Sequence, residues 1–298
     1  MSPQPSFQGV TTELLTPFRA DGSIDFDLLA GEVERQVAAG VNGLFTNGLA
    51  SESLSLDADE RVATTACVVE AARGRLPVMA NVVANTVLEA ERILRAYEAS
   101  GVDAVCLQAP YVYPLSQPAL LAHLDHLAQS TELPCGFYNA PQTGNTASPE
   151  TVGRLFAQNP NVRYYKESTI DFLHIQTTLR LIGGPAVEFL NGTDATTVSV
   201  MRLGGQGVVS LISAVFPEEV LALTRAAQVG AWDQAWAAQD RLLRIRQALK
   251  TGPFDAGYKF ASGLVGTPLG AMRPPLAELS SAQADTIERD LRELGLVR

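Results

Sequence analysis

Lysine is almost missing from this chain. Only Lys166, Lys250 and Lys259 stand among its 22 basic residues, and arginine supplies the rest. Positive charge as a whole is short too, since 32 acidic side chains leave a formal net charge of −10. That deficit excludes a broad nucleic-acid face, which needs a basic surface to meet phosphates. One arginine or a ring of backbone N–H groups still suffices to bind a small anion. Cysteine is scarce: Cys67, Cys106 and Cys135 are odd in number, lack C-x-x-C spacing and sit in apolar segments. They read as reduced core residues and exclude a disulfide framework. Histidine offers no metal site, because His123 and His126 lie three apart on one helix and no third ligand has suitable spacing. No apolar run reaches the length of a membrane span. Residues 1–7 carry neither the basic nor the apolar region of a signal peptide, so a soluble cytoplasmic protein is expected. The pairs Gly183-Gly184 and Gly204-Gly205 end helices and lack the spacing of a dinucleotide loop. No cofactor and no metal are therefore expected.

What is present is a repeated alternation of a short apolar run, a turn and an amphipathic helix. Apolar runs at 10–15, 41–46, 76–83, 102–108, 133–138, 161–166, 187–190 and 207–211 read as strands. Helical spacing follows them at 25–39, 57–73, 86–99, 116–129, 148–158, 170–181, 193–202 and from Pro217. Asp57 with Glu60 three residues on is a capping-box pattern. Strands such as Val41-Asn42-Gly43-Leu44-Phe45 are nearly continuous in apolar character, as strands buried on both faces must be. Eight such units in about 229 residues, with no linker, fit a closed α/β barrel, which takes ~250 residues. The expected fold is a (β/α)8 TIM barrel over 1–229. Residues 230–298 would add about three helices packed outside it, within a single structural unit.

In such a barrel, chemistry belongs where strands stop. Those ends carry Thr16-Pro17, Asn47 to Glu52, Asn81, Pro110-Tyr111, Tyr138-Asn139, Lys166, Gly192-Thr193-Asp194 and Ser210. Lys166 is the exceptional residue, a lysine in an otherwise branched and aromatic strand. Burying it is costly unless its pKa falls or a partner neutralises it. Burial would also make it a neutral amine able to attack a carbonyl and form a Schiff base. A strand-end lysine that snorkels to solvent is the alternative on this stretch alone. Tyr138 falls on the neighbouring strand at matching depth, where a phenol can shuttle protons; an aromatic packed with its hydroxyl on a carbonyl is the commoner fate of a tyrosine.

Taken together, these stretches resemble the class I pyruvate aldolases typified by dihydrodipicolinate synthase and N-acetylneuraminate lyase, over nearly the entire chain. The resemblance rests on Gly9-Val10 through Thr16-Pro17-Phe18, Asp21-Gly22-Ser23-Ile24-Asp25 and Gly40-Val41-Asn42-Gly43-Leu44. It continues through Pro110-Tyr111, Tyr138-Asn139-Ala140-Pro141, Lys166-Glu167-Ser168, Gly192-Thr193-Asp194 and Arg273-Pro274-Pro275-Leu276. It implies a lyase or aldolase in which Lys166 forms a Schiff base with a 2-oxo acid such as pyruvate and Tyr138 moves protons. An aldehyde would be the second reactant. The substrate site it implies comprises Gly48, Ala50, Ser51, Ser168, Gly192 and Val209. A homo-oligomer, dimer or tetramer, is implied as well.

Three departures narrow the match. Where the family has Gly-Thr-Thr-Gly-Glu, this chain has Gly48-Leu49-Ala50-Ser51-Glu52, so both hydroxyls that help hold the 2-oxo acid carboxylate are gone. The backbone N–H groups of Ala50 and Ser51, with the Ser51 hydroxyl, are expected to take over; one lost hydrogen bond to a charged group costs about 1.5–3 kcal/mol. The second tyrosine of Pro-Tyr-Tyr is Val112, and Gln142-Thr143-Gly144 lacks the synthase's arginine for the distal carboxylate. Leu44 to Gly48 and Ala109 to Pro114 look closer to the 2-keto-3-deoxygluconate aldolase branch, so a 2-keto-3-deoxy sugar acid is the expected substrate. Dihydrodipicolinate synthesis or dehydration of a 2-oxo sugar acid is the alternative. A barrel that binds a 2-oxo acid without turnover is the reading from a different class.

Overall fold

The computed structural model describes residues 4–298; part of the N-terminal stretch read for a targeting signal lies outside them. Eight parallel strands close into a barrel in chain order. They are β1 (Gly9–Glu13), β2 (Gly43–Thr46), β3 (Val78–Val82), β4 (Ala104–Gln108), β5 (Cys135–Asn139), β6 (Val162–Glu167), β7 (Glu188–Asn191) and β8 (Gly207–Ser210). The alternating helices are α1 (Phe26–Ala39), α2 (Ala58–Ala72), α3 (Val87–Ser100), α4 (Gln117–Gln129), α5 (Pro149–Gln158), α6 (Phe172–Ile182), α7 (Thr197–Arg202) and α8 (Pro217–Gln228). Three more follow: α9 (Trp232–Leu249), α10 (Ala256–Leu264) and α11 (Ser281–Glu293).

Local chemistry sets these boundaries. The Asp57 carboxylate accepts from the Glu60 N–H and the Glu60 carboxylate from the Asp57 N–H, the reciprocal bonds of a capping box. Thr86, Ser116 and Ser148 start α3, α4 and α5 in the same way with their hydroxyls. Gly40 and Gly101 end α1 and α3 in the left-handed conformation that glycine adopts at no steric cost. Helix α7 is shorter than its spacing predicts, because Asp194–Thr196 forms a separate 3₁₀ turn before it.

Side chains alternate across each strand. One set fills the barrel interior with Phe45, Met79, Ala104, Cys106, Tyr138, Tyr164, Leu190 and Val209. The other set packs outward against the helices. Leu242, Ile245 and Leu249 of α9 and Ile287 of α11 belong to the same buried cluster as Val10 of β1 and Val208 of β8. The C-terminal helices thus share buried core with the barrel. Cys106 and Cys135 are buried free thiols, whereas Cys67, expected in the core, is only half-buried on α2. Burial pushes the Cys106 thiol up to about 12. No described helix is long and apolar enough to cross a membrane.

Candidate active site

Lys166 is the fifth residue of β6, and the alternation that sends Tyr165 and Glu167 outward turns it into the barrel. It is the Cα partner of Tyr138 across the β5–β6 ladder, so phenol and amine meet at the same depth. The ammonium lies 3.9 Å from the centroid of the Tyr138 ring and 4.0 Å from that of Phe45. Its hydrogen-bond partner was not expected. Glu13, the last residue of β1, places Oε2 at 2.8 Å from Lys166 Nζ. The two side chains are 7% and 1% exposed, which makes this a buried ion pair.

The pair changes the protonation expected of Lys166. Burial pulls the Lys166 pKa down, but the Glu13 carboxylate, aided by Tyr138, pulls it up by more, and the result lies above the ordinary lysine value. Lys166 at rest is therefore an ammonium and not the neutral amine that burial alone suggests. Burial likewise raises the Tyr138 phenol above its usual value, so its proton stays on at neutral pH. The Ser168 hydroxyl donates to the Gly192 carbonyl at 3.1 Å and lies 3.4 Å from the Tyr138 oxygen. Ser168 Oγ thus stands between the Tyr138 phenol oxygen and the Gly192 carbonyl, with one proton to donate to either. Gly192 has to be glycine, since a Cβ there would lie 2.1 Å from Ser168 Oγ.

The loop after β2 departs from expectation. Glu13 Oε1 accepts the Ala50 N–H at 2.9 Å. The Ser51 N–H is donated to the Gly48 carbonyl at 3.2 Å, and the Ser51 hydroxyl to the Leu14 carbonyl at 2.6 Å. None of the three donors expected to hold a substrate carboxylate is free. Ser51 is buried away from the cavity altogether, because the 3₁₀ turn Leu49–Ser51 faces it toward β1. Gly48 does not wall the cavity either; its role is to admit Glu13, since a Cβ would lie 2.1 Å from Glu13 Oε1. Ala50, Ser168, Gly192 and Val209 do line the cavity, together with Glu13 and Tyr138.

That cavity, of about 950 Å³, opens at the C-terminal ends of the strands. Its remaining wall includes Arg246 of α9, Lys250 at the C-terminal cap of α9 and Tyr258 of α10, so the C-terminal helices expected outside the barrel also enclose its mouth. Lys250 is paired with Asp255 at 2.6 Å, while the Arg246 guanidinium has no hydrogen-bond or ion-pair partner among the described residues. Behind the site, Glu167 accepts from the Tyr165 hydroxyl at 2.6 Å and the Thr169 N–H at 2.7 Å and pairs with His174 at 3.0 Å. The Asn139 amide of β5 also donates to Glu167 at 3.4 Å, so this carboxylate ties the ends of β5 and β6 together, and with them Tyr138 and Lys166. Asp194 does the same for β7 and β8 by accepting from Ser210, Leu211 and Ile212. Glu52 and Lys259 form a second buried pair that links the β2 loop to α10.

Glu13 is the residue that sequence reasoning missed. Its signal was a lone carboxylate within Val10-Thr11-Thr12-Glu13-Leu14-Leu15, as anomalous in its strand as Lys166 is in β6. Among the described residues, no group of three or more His, Cys, Asp or Glu side chains is placed to hold a metal.

Comparison with known proteins places residues 6–294 on the model of the dihydrodipicolinate synthetase family. A relative from Sorangium cellulosum named 4-hydroxy-tetrahydrodipicolinate synthase is 36% identical over 96% of this chain and 95% of its own length. One of the same name from Pseudomonas aeruginosa is 32% identical over 97% and 99%. Among solved structures, dihydrodipicolinate synthase from Aquifex aeolicus superposes with a TM-score of 0.93 at 28% identity, covering 98% of this chain and 99% of its own. A prophage protein of that family from E. coli K12, in complex with pyruvate, gives 0.93 at 27% identity over 97% and 99%.

Proposed function

The chain belongs to the dihydrodipicolinate synthetase family, and on that premise we propose that it is a class I lyase whose Lys166 makes or breaks a carbon–carbon bond through a Schiff base. The family works through a covalent Schiff base between lysine and pyruvate and uses no metal cofactor. One observation carries the assignment to Lys166: its amine is buried at the end of β6, between a carboxylate at 2.8 Å and the ring of Tyr138.

Each group has a step it can perform. Glu13 Oε2 is the nearest base to Nζ and takes the ammonium proton, which frees the amine to attack a carbonyl carbon. The proton on Glu13 returns to the carbinolamine oxygen, which leaves as water. An iminium then faces the restored Glu13 carboxylate. The restored Glu13 carboxylate takes the α-carbon proton as the iminium becomes the enamine, and the Tyr138 phenol gives its proton to the aldehyde oxygen as the bond forms and regains one from Glu13. The enamine carbon attacks an aldehyde held in the cavity, or in reverse releases one.

The relatives favour the alternative over the first expectation. Their names support a synthase-type condensation and give no support to the 2-keto-3-deoxygluconate branch. Pyruvate, present in the E. coli neighbour, is the reference donor. Assembly into a homo-oligomer is part of the same reading, supported by the exposed apolar side chains Val112 and Tyr113 beside each other after β4. The test is reduction with borohydride in the presence of pyruvate and of uncharged ketones, followed by mass mapping. An adduct on Lys166, absent from Lys166→Ala, is expected. Turnover by protein whose Lys166 stays unmodified under these conditions sinks the mechanism.

A further inference from the structure

The structure sets a carboxylate of the protein's own beside the nucleophile. A 2-oxo acid joined to Lys166 through its carbonyl carbon would carry its carboxylate one bond from the iminium. Glu13 already stands there, with one oxygen 2.8 Å from Nζ and the other on the Ala50 N–H at 2.9 Å. We propose that Glu13 is a resident occupant of the donor-carboxylate position, and that Lys166 takes small ketones or aldehydes flanked by an uncharged hydroxyl group in preference to 2-oxo acids. This rests on Lys166 forming a Schiff base and specifies only the donor.

Three observations agree. First, the nearby donors are spent: Ala50 N–H on Glu13, Ser51 N–H on the Gly48 carbonyl and Ser51 Oγ on the Leu14 carbonyl. Leu49, Leu54, Ser55 and Glu52, the last paired with Lys259, make up the rest of this loop's wall. A carboxylate entering here would be desolvated without replacement hydrogen bonds. Second, charge already balances. The iminium carries one positive charge and Glu13 one negative, so an uncharged donor leaves the buried pair neutral. A 2-oxo acid would add a second anion beside the first, and like charges brought together in a buried site are strongly disfavoured. Third, an ionised carboxylate only accepts hydrogen bonds. Glu13 therefore suits a donor whose carbonyl is flanked by a hydroxyl, which can donate to it. Gly48 maintains the arrangement, since any Cβ at that position would meet the carboxylate.

Hydroxyacetone and pyruvate make a matched pair of methyl ketones that differ by hydroxymethyl against carboxylate. The full-length protein is reduced with borohydride in the presence of each, and the rate of Lys166 labelling is followed by mass spectrometry. The wild type is expected to label faster with hydroxyacetone. Glu13→Ala, which vacates the position and frees the Ala50 N–H, should lower the hydroxyacetone-to-pyruvate ratio by about tenfold or more. Glu13→Gln, which removes the charge but keeps the shape, should lower it by less. Faster wild-type labelling by pyruvate overturns the proposal, and this arm needs no variant to fold. A ratio unchanged in both variants also overturns it while leaving the Schiff base intact. Absence of any adduct on Lys166 with either ketone refutes the nucleophile itself and this proposal with it.

Discussion

Removing Glu13 while leaving Lys166 in place tests the buried pair through stability. Breaking a buried ion pair by deleting one partner costs about 3–5 kcal/mol, because an uncompensated charge remains. Solvent screening should be slight, as the two side chains are only 7% and 1% exposed. An unfolding entropy of about 2.1 cal/mol/K per residue over 298 residues makes each kcal/mol worth ~1.6 °C, so Glu13→Ala should lower the melting temperature by ~5–8 °C. The sign of the pH dependence is distinctive. In the wild type the folded Lys166 pKa lies above its ordinary value, so its contribution is complete at neutral pH and fades only as pH rises through that raised value. In the variant, burial acts without the carboxylate and sets the folded pKa below the ordinary value, so folding favours the deprotonated amine. The deficit against wild type should then grow as pH falls from the ordinary lysine value toward that new pKa, by up to about 1.4 kcal/mol per pH unit, and level off below it. Part of the deficit, from the orphaned Ala50 N–H, should not vary with pH and amounts to about 1–3 kcal/mol. Calorimetric melts of both proteins between about pH 6 and pH 9 separate the two parts. A deficit under ~2 °C that stays constant across this range refutes the buried, charge-paired description of Lys166.

Two further outcomes follow from the same geometry. Tyr138→Phe keeps the ring against the amine but removes the proton relay, so the borohydride adduct should survive while turnover falls by about 10²–10⁴-fold; undiminished turnover would exclude Tyr138 as the proton carrier. Glu52→Gln should destabilise the protein by ~3 kcal/mol, because it leaves the buried Lys259 ammonium without a counter-charge. Combining it with Lys259→Met removes the stranded charge and should restore part of the loss. A double variant no more stable than the single one would show that the pair is not electrostatically coupled.

Period and composition alone made the barrel legible. Continuous apolar runs of strand length separated by helical spacing permit little besides a parallel sheet covered on both faces, and eight of them close it. Lys166 was legible because so few lysines occur and this one interrupts an apolar strand. Tyr138 followed from adjacency, as consecutive strands of such a barrel are neighbours and equal positions along them fall at equal depth. Contacts across the barrel were not legible. Glu13 and Lys166 are 153 residues apart, on strands that do not pair, and only closure of the sheet turns both inward to one point. Without that contact the charge state of the lysine has the wrong sign, since burial alone predicts a neutral amine. The loop after β2 was misread for a related reason. Side-chain identity at Ser51 shows a hydroxyl is present but not its direction, which is set by a 3₁₀ turn and by Glu52 held in the left-handed region at φ 57°. Local pattern determined the scaffold and singled out Lys166; which group faces that lysine, and hence what can bind beside it, depends on three-dimensional closure that no spacing along the chain records.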